Sequence, residues 1–485
     1  KDELTLRYKL NWDFNETTDI NFIISKVDMD DPADIWTIDG SLNTLSDRPG
    51  MDSQETNSYG IKITKNFINF DLQSFTSSTK TDVIFSYDAD WGNPDSHFPY
   101  IYDYFSETLR KRDTFSQEIR ILSKNTDFSQ KKPFEWVFGM DFSELEETNV
   151  TRDDGIYGDP SDPYGPYASE SVISRNYKAE NFSLFGNIDY FLTKNYKLAI
   201  GLRWENWDSK YNDSNQESFN PSDNMNGGKI SLIKNNESSN IYLSIAKGYK
   251  QGGFNIGLDA TDSTIKDSLI YDPEFLINYE IGVNSNGNDT NLNYSAVIFF
   301  SKREDQQVLI SKQIDPTDPN TFSYLTQNAA EGENYGLEIS SNYFVSDNLN
   351  LFANFGFLKT KIKNWESRID LEDRDQAHAP EKTYSVGMKY DLKNNFYLKF
   401  DINGKSSFYY SDSHDNKSQS YQLININFGY SKDNISAELW IRNALDKYYS
   451  TRGFYFGNEA PNFEDTLYRR QGDPKNLGLS LRYNF

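Results

Sequence analysis

The chain has 485 residues, and 73 acidic against 49 basic side chains give it a formal net charge of −24. This balance excludes nucleic acid as a partner, because contacts to phosphates need clustered Lys and Arg, and no such cluster occurs. Cysteine is absent, which excludes disulfides and thiolate chemistry, and no run approaches the roughly 18 apolar residues that a membrane helix requires.

Apolar and polar residues alternate at period two from the first residues, ELTLRYKLNWDF, to the end of the chain. The alternation is clear in YKLAIGLRW (196–204), NISAELWIRN (434–443, with Trp440 as an exception) and NLGLSLRYNF (476–485). It indicates strands with one apolar face and one small or polar face. Helical periodicity is nearly absent, so the sequence predicts an all-β fold.

The connections between the strands alternate between short and long. Short turns are predicted at 15–19, near Asn66, and at 193–195, 235–239, 285–289, 346–348, 393–395 and 432–434. Long polar segments are predicted at 30–56, 88–112, 149–175, 208–226, 253–272, 311–325, 364–380 and 447–475. This rhythm is typical of an antiparallel transmembrane β-barrel with tight periplasmic turns and long extracellular loops.

The strand count is about 19, with an error of one strand either way. Bacterial single-chain barrels have even numbers of strands, and plugged outer-membrane transporters have 22. The sequence therefore predicts one domain, 1–485, that is a barrel of the 22-strand type without its first three strands.

Five segments carry a resemblance to a known family. They are AKGYKQGGFN (246–255), DTFSQEIRILS (113–123), ENFSLFGNIDYFLTKNYKLAIGLRWE (180–205), WIRNALDKYYSTRGF (440–454) and YRRQGDPKNLGLSLRYNF (468–485). Together they resemble segments of the TonB-dependent outer-membrane receptors, although each alone is a weak signal. The family's plug domain, its TonB box and the first barrel strands are not found in this chain, so an N-terminally incomplete barrel is expected.

The resemblance implies an energy-coupled transporter in the outer membrane of a Gram-negative bacterium. Its cargo would be a ferric siderophore or a similar bulky nutrient, and the family resemblance also allows vitamin B12, haem, other metals or glycans. It also implies a monomer that contacts the TonB–ExbB–ExbD complex through the plug and contacts lipopolysaccharide through its rim. A passive porin-like or structural barrel is the alternative, and a soluble β-rich binding protein or enzyme is a third class.

Aromatic residues in one long segment are candidates for ligand contact. The segment HFPYIYDYF (97–105) offers His97, Phe98, Tyr100, Tyr102 and Tyr104 beside Trp91. Aromatic side chains on loops bind flat or glycan-like ligands, and Tyr adds a polar group. The alternative is a hydrophobic cluster that orders the loop. His97, His378 and His414 would bind haem or zinc only if two converged, or one with a Tyr, and His378 remains a ligand candidate.

The segment AKGYKQGGFN could be a phosphate-binding loop or the end of a strand. It lacks the G-x-x-x-x-G-K-[ST] spacing of such loops, and no helix follows it. The sequence predicts the upper end of a strand instead, with glycines that permit unusual dihedral angles in a bend or bulge. Lys247 and Lys250 would then lie near the outer rim, where they could meet an anionic ligand or lipopolysaccharide phosphate.

Charged residues are predicted on the lumen face, where they would dock a plug or line the path. By strand parity these are Glu118, Arg120, Arg203, Glu205, Glu338, Glu438, Arg442 and Arg482. The acidic segments at 28–34, 151–163 and 315–319 do not match a calcium loop and are interpreted as solvated loop tips. No catalytic triad or carboxylate pair has a recognisable context, so no catalysis, metal site or cofactor is expected.

Overall fold

The computed structural model describes residues 2–124, 134–257, 269–285, 291–313 and 322–484. Several predicted features lie wholly or mostly outside these residues: the acidic segment at 315–319, the turn at 285–289, the centres of the segments 253–272 and 311–325, and the terminal Phe485. No helix among the described residues is long and apolar enough to cross a membrane.

The described chain is almost entirely β-structure. Its strands are β1 Asp2–Asn15, β2 Thr18–Pro32, β3 Met51–Asn66, β4 Phe70–Asp88, β5 Ile101–Ser123, β6 Phe134–Gly158, β7 Tyr167–Phe191, β8 Tyr196–Asp213, β9 Ser218–Phe219, β10 Ser222–Asn235, β11 Ser239–Lys250, β12 Gly253–Phe254, β13 Ile270–Tyr271, β14 Glu274–Ser285, β15 Leu292–Gln313, β16 Phe322–Ser346, β17 Leu349–Lys363, β18 Lys382–Asp391, β19 Phe396–Lys405, β20 Tyr421–Lys432, β21 Ile435–Arg442, β22 Ser450–Phe456, β23 Thr466–Gln471 and β24 Asn476–Tyr483. Two short 3₁₀ segments, Glu366–Leu371 and Lys393–Asn395, lie between strands.

One antiparallel sheet contains 20 of these strands, and one of the 20, β9, has only two residues. The other 19 each pair with the next long strand along the chain, in an up-and-down order. This confirms the predicted all-β barrel architecture and the predicted count. The sheet is open in the described residues, because β1 pairs there with β2 and β24 with β21, each along one edge.

The two faces of the sheet differ as the alternation predicted. On β8 the apolar side chains of Ile200, Leu202 and Trp204 are exposed, whereas Arg203 and Glu205 point to the opposite face, where they form an ion pair. We call these the apolar face and the polar face. An exposed apolar face that continues across the strands is the lipid-facing wall of a transmembrane barrel.

Several strands extend beyond the predicted limits. The segments 88–112 and 149–175 were expected to be loops, yet β5, β6 and β7 have 23, 25 and 25 residues, and β6 and β7 are joined by the loop at 159–166. The predicted loop at 447–475 likewise contains the hairpin of β22 and β23. The prediction was wrong here because polar alternation outside the apolar band still allows backbone pairing. We call this side of the sheet the loop end and the other the turn end.

The segment AKGYKQGGFN forms the end of β11 and continues into β12, which pairs with β13. Its glycines do not adopt positive φ angles, so the expectation of unusual dihedral angles was wrong. The backbone instead approaches its neighbours closely: a Cβ atom on Gly252 would lie 2.5 Å from the Tyr271 carbonyl oxygen. Gly252 and Gly253 are therefore needed for space rather than for backbone freedom, whereas a Cβ atom on Gly248 would meet nothing within 4 Å.

Candidate functional site at the loop end

Aromatic rings from three separate segments meet at the loop end. The ring of Trp91 lies 5.8 Å from Trp36, 6.0 Å from Phe454, 5.6 Å from Phe456 and 5.0 Å from Tyr468. Trp36 follows β2, Trp91 follows β4, and the other three belong to the hairpin of β22 and β23. We call these five residues the loop aromatic cluster. It holds the β2–β3 and β4–β5 loops against the last hairpin.

Tyr102 forms a second aromatic contact beside this cluster. Its ring lies 5.0 Å from both His97 and Tyr104 and 5.3 Å from Phe463. Its hydroxyl group hydrogen-bonds Asn458 at 3.3 Å. Burial raises the pKa of the Tyr102 hydroxyl. The tyrosine therefore stays neutral and packs between the β4–β5 loop and the hairpin of β22 and β23.

Three carboxylates and a histidine lie under these rings. Asp34 accepts hydrogen bonds from the backbone N–H groups of Gly50 (2.6 Å) and Asp88 (2.9 Å). Asp90 lies 3.4 Å from Nε2 of His97. Asp88 is 0 % exposed, so its carboxyl group is shielded from water. The acidic segment 28–34 was expected to be a solvated tip, but its last residue, Asp34, joins the two ends of the β2–β3 loop and attaches them to the end of β4.

The two neighbouring carboxylates, Asp88 and Asp90, are held in different protonation states. Burial raises the pKa of Asp88 to about 7, and the carboxylates of Asp90 and Asp34 contribute further. Burial also favours a higher pKa for Asp90, but the imidazole of His97 at 3.4 Å and hydrogen bonds from the N–H groups of Tyr104 and Gly92 bring its pKa below the usual value. Asp88 thus carries a proton over a pH range in which Asp90 is ionised.

We expect the order of the β4–β5 loop to depend on pH through Asp88. Its pKa rises from 3.8 to about 7, so the closed loop binds this proton more tightly than an opened loop does. The stabilisation is therefore present at low pH and is lost as pH rises toward 7, with the opening equilibrium changing by up to about tenfold per pH unit. Hydrogen–deuterium exchange of residues 89–100, corrected for intrinsic rates, measures this. Asp88→Asn should abolish the slope, and an unchanged slope in that variant would contradict the assignment.

The sequence-predicted aromatic candidates divide into packed and exposed residues. Trp91, His97, Tyr102 and Tyr104 take part in the packing described above, and the Tyr104 ring also covers Gly155. Phe98 is 81 % exposed. Tyr100 is half-buried and donates its N–H to the His97 carbonyl group. The geometry thus gives four of the candidates a structural role and leaves Phe98 and Tyr100 at the surface.

The remaining cationic and histidine candidates lie apart from this cluster. Lys247 is on the apolar face, because it pairs in register with Gly228 and through it with Leu202. Lys250 is exposed at the end of β11. His378 has a positive φ of 55° and packs 5.6 Å from the Phe408 ring. Burial lowers the pKa of His378.

The predicted polar-face charges form local networks. Arg203 pairs with Glu205 (2.8 Å) and Asp141 (2.9 Å), and the Tyr249 hydroxyl group donates to Glu205 at 3.0 Å. Glu118 pairs with Arg120 at 2.8 Å. A missed residue, Tyr249, therefore completes the first network from the segment that ends β11.

A second network lies near the end of the chain. Glu438 accepts hydrogen bonds from Tyr397 (2.8 Å) and Asn427 (2.8 Å), and Arg442 donates to the side-chain oxygen of Asn427 at 3.1 Å. Glu338 and Arg482 are exposed.

A polar cavity of about 460 Å³ opens at the loop end beside the loop aromatic cluster. Its lining includes two cationic side chains and four tyrosines that the sequence analysis did not single out: Lys417, Arg469, Tyr410, Tyr448, Tyr449 and Tyr468. The repeated Tyr-Tyr pairs at 409–410 and 448–449, both in polar segments, were the available signal. Cations and phenol groups together suit an anionic, aromatic or iron-chelating ligand.

The three histidines do not converge. Among the residues that the structure describes, no group of three or more His, Asp or Glu side chains is arranged to hold a metal ion. His97 contacts Asp90 and Tyr102, His378 contacts Phe408, and His414 packs against Tyr455.

Comparison with known proteins assigns the chain. A sequence model of the family described as "TonB dependent receptor-like, beta-barrel" matches residues 4–444. The chain belongs to the TonB-dependent receptor family. Receptors of this family are outer-membrane β-barrels of Gram-negative bacteria, and the family is one of transporters and receptors rather than enzymes.

Individual TonB-dependent receptors share sequence and fold with this one. The probable TonB-dependent siderophore receptor PiuA of Acinetobacter baumannii is 29% identical over 202 residues, which are 40% of this chain and 25% of that protein. The match to the structure of the ferric yersiniabactin uptake receptor FyuA from Yersinia pestis covers 100% of this chain and 70% of the FyuA chain, with a TM-score of 0.74 and 16% identity. The match to the structure of PiuA from Acinetobacter baumannii covers 99% of this chain and 74% of the PiuA chain, with a TM-score of 0.72 and 18% identity. At these identities the structural likeness is one of fold.

Proposed function

We propose that this chain is the barrel of an outer-membrane receptor that captures a ferric siderophore or a similar bulky nutrient for energy-coupled uptake. The loop-end cavity would bind the cargo, and the loop aromatic cluster would hold the segments that shape it. Energy would come from the TonB–ExbB–ExbD complex, and the polar-face networks would contact a plug. The receptor would act as a monomer surrounded by outer-membrane lipid.

The composition of the cavity is the observation that carries this proposal. Lys417 and Arg469 place two positive charges against the single carboxylate of Asp39 in the lining, in a chain whose net charge is −24. Tyr448 is 56 % exposed and donates its hydroxyl hydrogen to the Gly40 carbonyl group, so it stands at the cavity rim. A locally cationic, tyrosine-rich cavity within an acidic surface favours an anionic chelate. FyuA is a ferric yersiniabactin uptake receptor and PiuA a siderophore receptor, and this similarity supports the same class of cargo.

Uptake of labelled iron by whole cells tests the proposal. Cells that lack this gene should take up ⁵⁵Fe from at least one ferric catecholate, hydroxamate or carboxylate siderophore at a rate at least about tenfold lower than the parent cells. Deletion of tonB should lower uptake through the restored gene by the same factor. Uptake that persists without TonB would indicate a passive channel, and unchanged uptake of every siderophore on loss of the gene would reject this class of cargo.

A further inference from the structure

The upper part of β7 has a neighbouring strand on one side only. On the β6 side the pairing continues without a bulge up to Tyr167. On the β8 side the strand pairing ends at Arg175, and the last backbone contact is a hydrogen bond of 2.9 Å from the Ser214 N–H to the Ser174 carbonyl group. Among the residues that the structure describes, no strand pairs with residues 167–173 on this side. We call residues 167–173 the open edge.

The direction of the unpaired backbone groups follows from Ser174. Its carbonyl group accepts from the Ser214 N–H, and its own N–H donates to the Ser214 hydroxyl oxygen at 3.2 Å, so both groups point toward the β8 side. Backbone groups alternate in direction along a strand. Ala168, Glu170 and Val172 therefore point their N–H and C=O groups to the open side, where the described chain supplies no strand to receive them.

The side chains of the open edge leave its backbone accessible. Residues 167–172 are all exposed, and three of them are only alanine or serine: Ala168, Ser169 and Ser171. Natural edge strands are usually protected by lysine, by proline or by a bulge. The open edge has none of these protective features. Another strand can therefore approach it.

Another long hairpin of the sheet, formed by β15 and β16, uses side chains of this chain to occupy upper backbone groups. On β15 the Gln307 N–H donates to the Glu274 carboxylate at 2.9 Å. On β16 the Thr326 N–H donates to the side-chain oxygen of Asn255, and the Thr326 carbonyl group accepts from the side-chain amide of Asn255, both at 2.8 Å. Long strands in this sheet are thus not left uncovered as a rule, which distinguishes β7.

The charges around the open edge are mainly acidic. Residues 150–175 carry five acidic and two basic side chains, and the register places Glu170 directly beside Asp154. Like charges opposite each other destabilise a strand pair. Arg48 pairs with Asp154 at 2.8 Å, but within the described part of the chain no cation forms an ion pair with Glu170. A basic side chain on an added strand would neutralise this carboxylate.

The open edge lies above the lipid. Ser174, just below it, is 17 residues from Phe191, the turn-end residue of β7. At about 3.3 Å per residue and a tilt of about 40°, this distance corresponds to a rise of roughly 40 Å. A hydrocarbon layer is about 30 Å thick. A protein in the external medium or at the membrane surface can therefore reach the open edge.

We propose that the open edge binds an extended segment of a partner protein at the cell surface, which adds a strand to the sheet and carries Lys or Arg opposite Glu170. A polypeptide strand presents N–H and C=O groups at the spacing of an edge, so main-chain hydrogen bonds select this kind of ligand. The acidic surroundings select a basic segment over an acidic one. The proposal depends on the loop end facing the cell exterior but not on the cargo.

Hydrogen exchange of the intact protein in mild detergent, without siderophore, tests this proposal. The probe is an end-blocked peptide of alternating Thr and Lys, about eight residues long, and the control peptide alternates Thr and Glu. Saturating Thr-Lys peptide should slow exchange of the amides of Ala168, Glu170 and Val172 by at least about tenfold, and the Thr-Glu peptide should not. Equal effects of the two peptides, or no slowing with either, would overturn the proposal. Protection that increases with receptor concentration alone would assign the edge to a second copy of this chain and would also overturn it.

Two substitutions at Val172 test the backbone pairing. Val172→Pro removes an N–H that points to the open side, so the folded sheet loses no hydrogen bond. It should weaken binding of the Thr-Lys peptide by at least about tenfold, because a donor is lost and the ring blocks close approach. Val172→Thr keeps the N–H and should bind like the unsubstituted protein. Equal binding by the two variants would contradict strand addition.

Reversal of one charge tests the selection of a basic segment. Glu170→Lys keeps the backbone of the open edge, so it should shift the preference from the Thr-Lys peptide toward the Thr-Glu peptide. An unchanged preference would overturn the assignment of a basic partner. A mobility shift on boiling in SDS checks that each variant forms a barrel, which separates failed assembly from failed binding.

Discussion

Replacement of Lys417 and Arg469 together by glutamate is expected to weaken capture of an anionic ferric siderophore by at least about a hundredfold. Each cation contributes a charge-assisted contact worth roughly 1.5 to 3 kcal/mol, and reversal adds repulsion to the loss. Both side chains line the same cavity of about 460 Å³ and are exposed, so a ligand in the cavity can reach them. Binding of the ⁵⁵Fe-labelled siderophore that supports growth, measured on cells at 4 °C, gives the affinity.

The matched control for this variant changes the same total charge at the turn end. Lys194→Glu with Lys432→Glu alters two exposed lysines in or beside short turns, so the net charge of the protein becomes equal to that of the cavity variant. The turn-end pair should bind cargo normally. A similar loss in both variants would show that long-range charge, and not the cavity, governs capture.

Truncation of Tyr468 to alanine is expected to disorder the loop end without unfolding the sheet. The side chain is 3 % exposed, its ring contacts Trp91, and its hydroxyl group donates to Glu459 at 2.9 Å. Loss of a buried aromatic ring costs about 3 to 5 kcal/mol. That cost falls on the loop aromatic cluster, which joins the β2–β3 and β4–β5 loops to the last hairpin. Hydrogen exchange in residues 33–50 and 89–100 should therefore accelerate by at least about a hundredfold.

Tyr468→Phe separates packing from hydrogen bonding in this experiment. The ring remains, so only the bond to Glu459 is lost, and exchange should rise by less than about tenfold. Boiling in SDS should still shift the mobility of both variants, because the ladder of the sheet is untouched. Equal exchange in Tyr468→Ala and in the unsubstituted protein would show that the cluster does not hold the loops.

The architecture of the sheet could be predicted from the sequence because the alternation of apolar and polar residues within each strand shows which residues lie on which face. Alternation in YKLAIGLRW places Leu202 and Trp204 on one side and Arg203 on the other, and the structure shows this arrangement. Because successive side chains point to opposite faces of a strand, the choice of the apolar face fixes the face of every other residue. The ends of the strands were not predictable in the same way, because above the apolar band β6 and β7 are mostly polar on both faces and alternation carries no contrast.

The loop-end contacts could not be predicted, because they join residues far apart in the chain. Asn458 donates to the backbone carbonyl of Asp90 at 2.6 Å across a sequence separation of 368 residues. Nothing in DADWG or FGNEA indicates that these segments meet. Asp88 shows the same limit of sequence-based prediction. An aspartate in a polar segment is expected to be solvated, and only the fold shows that this one is 0 % exposed. Local composition does not encode which loops share a core.

In the proposed outer-membrane receptor, the length of β6 and β7 determines how far this hairpin extends beyond the lipid. Each has 25 residues, and at about 3.3 Å per residue and a tilt of about 40° such a strand rises roughly 60 Å. A hydrocarbon layer is about 30 Å thick. Nearly half of this hairpin therefore extends beyond the lipid as a rigid, hydrogen-bonded pair of strands. Antibodies and other large particles that approach the bacterium would contact this projecting hairpin before they reach the cavity.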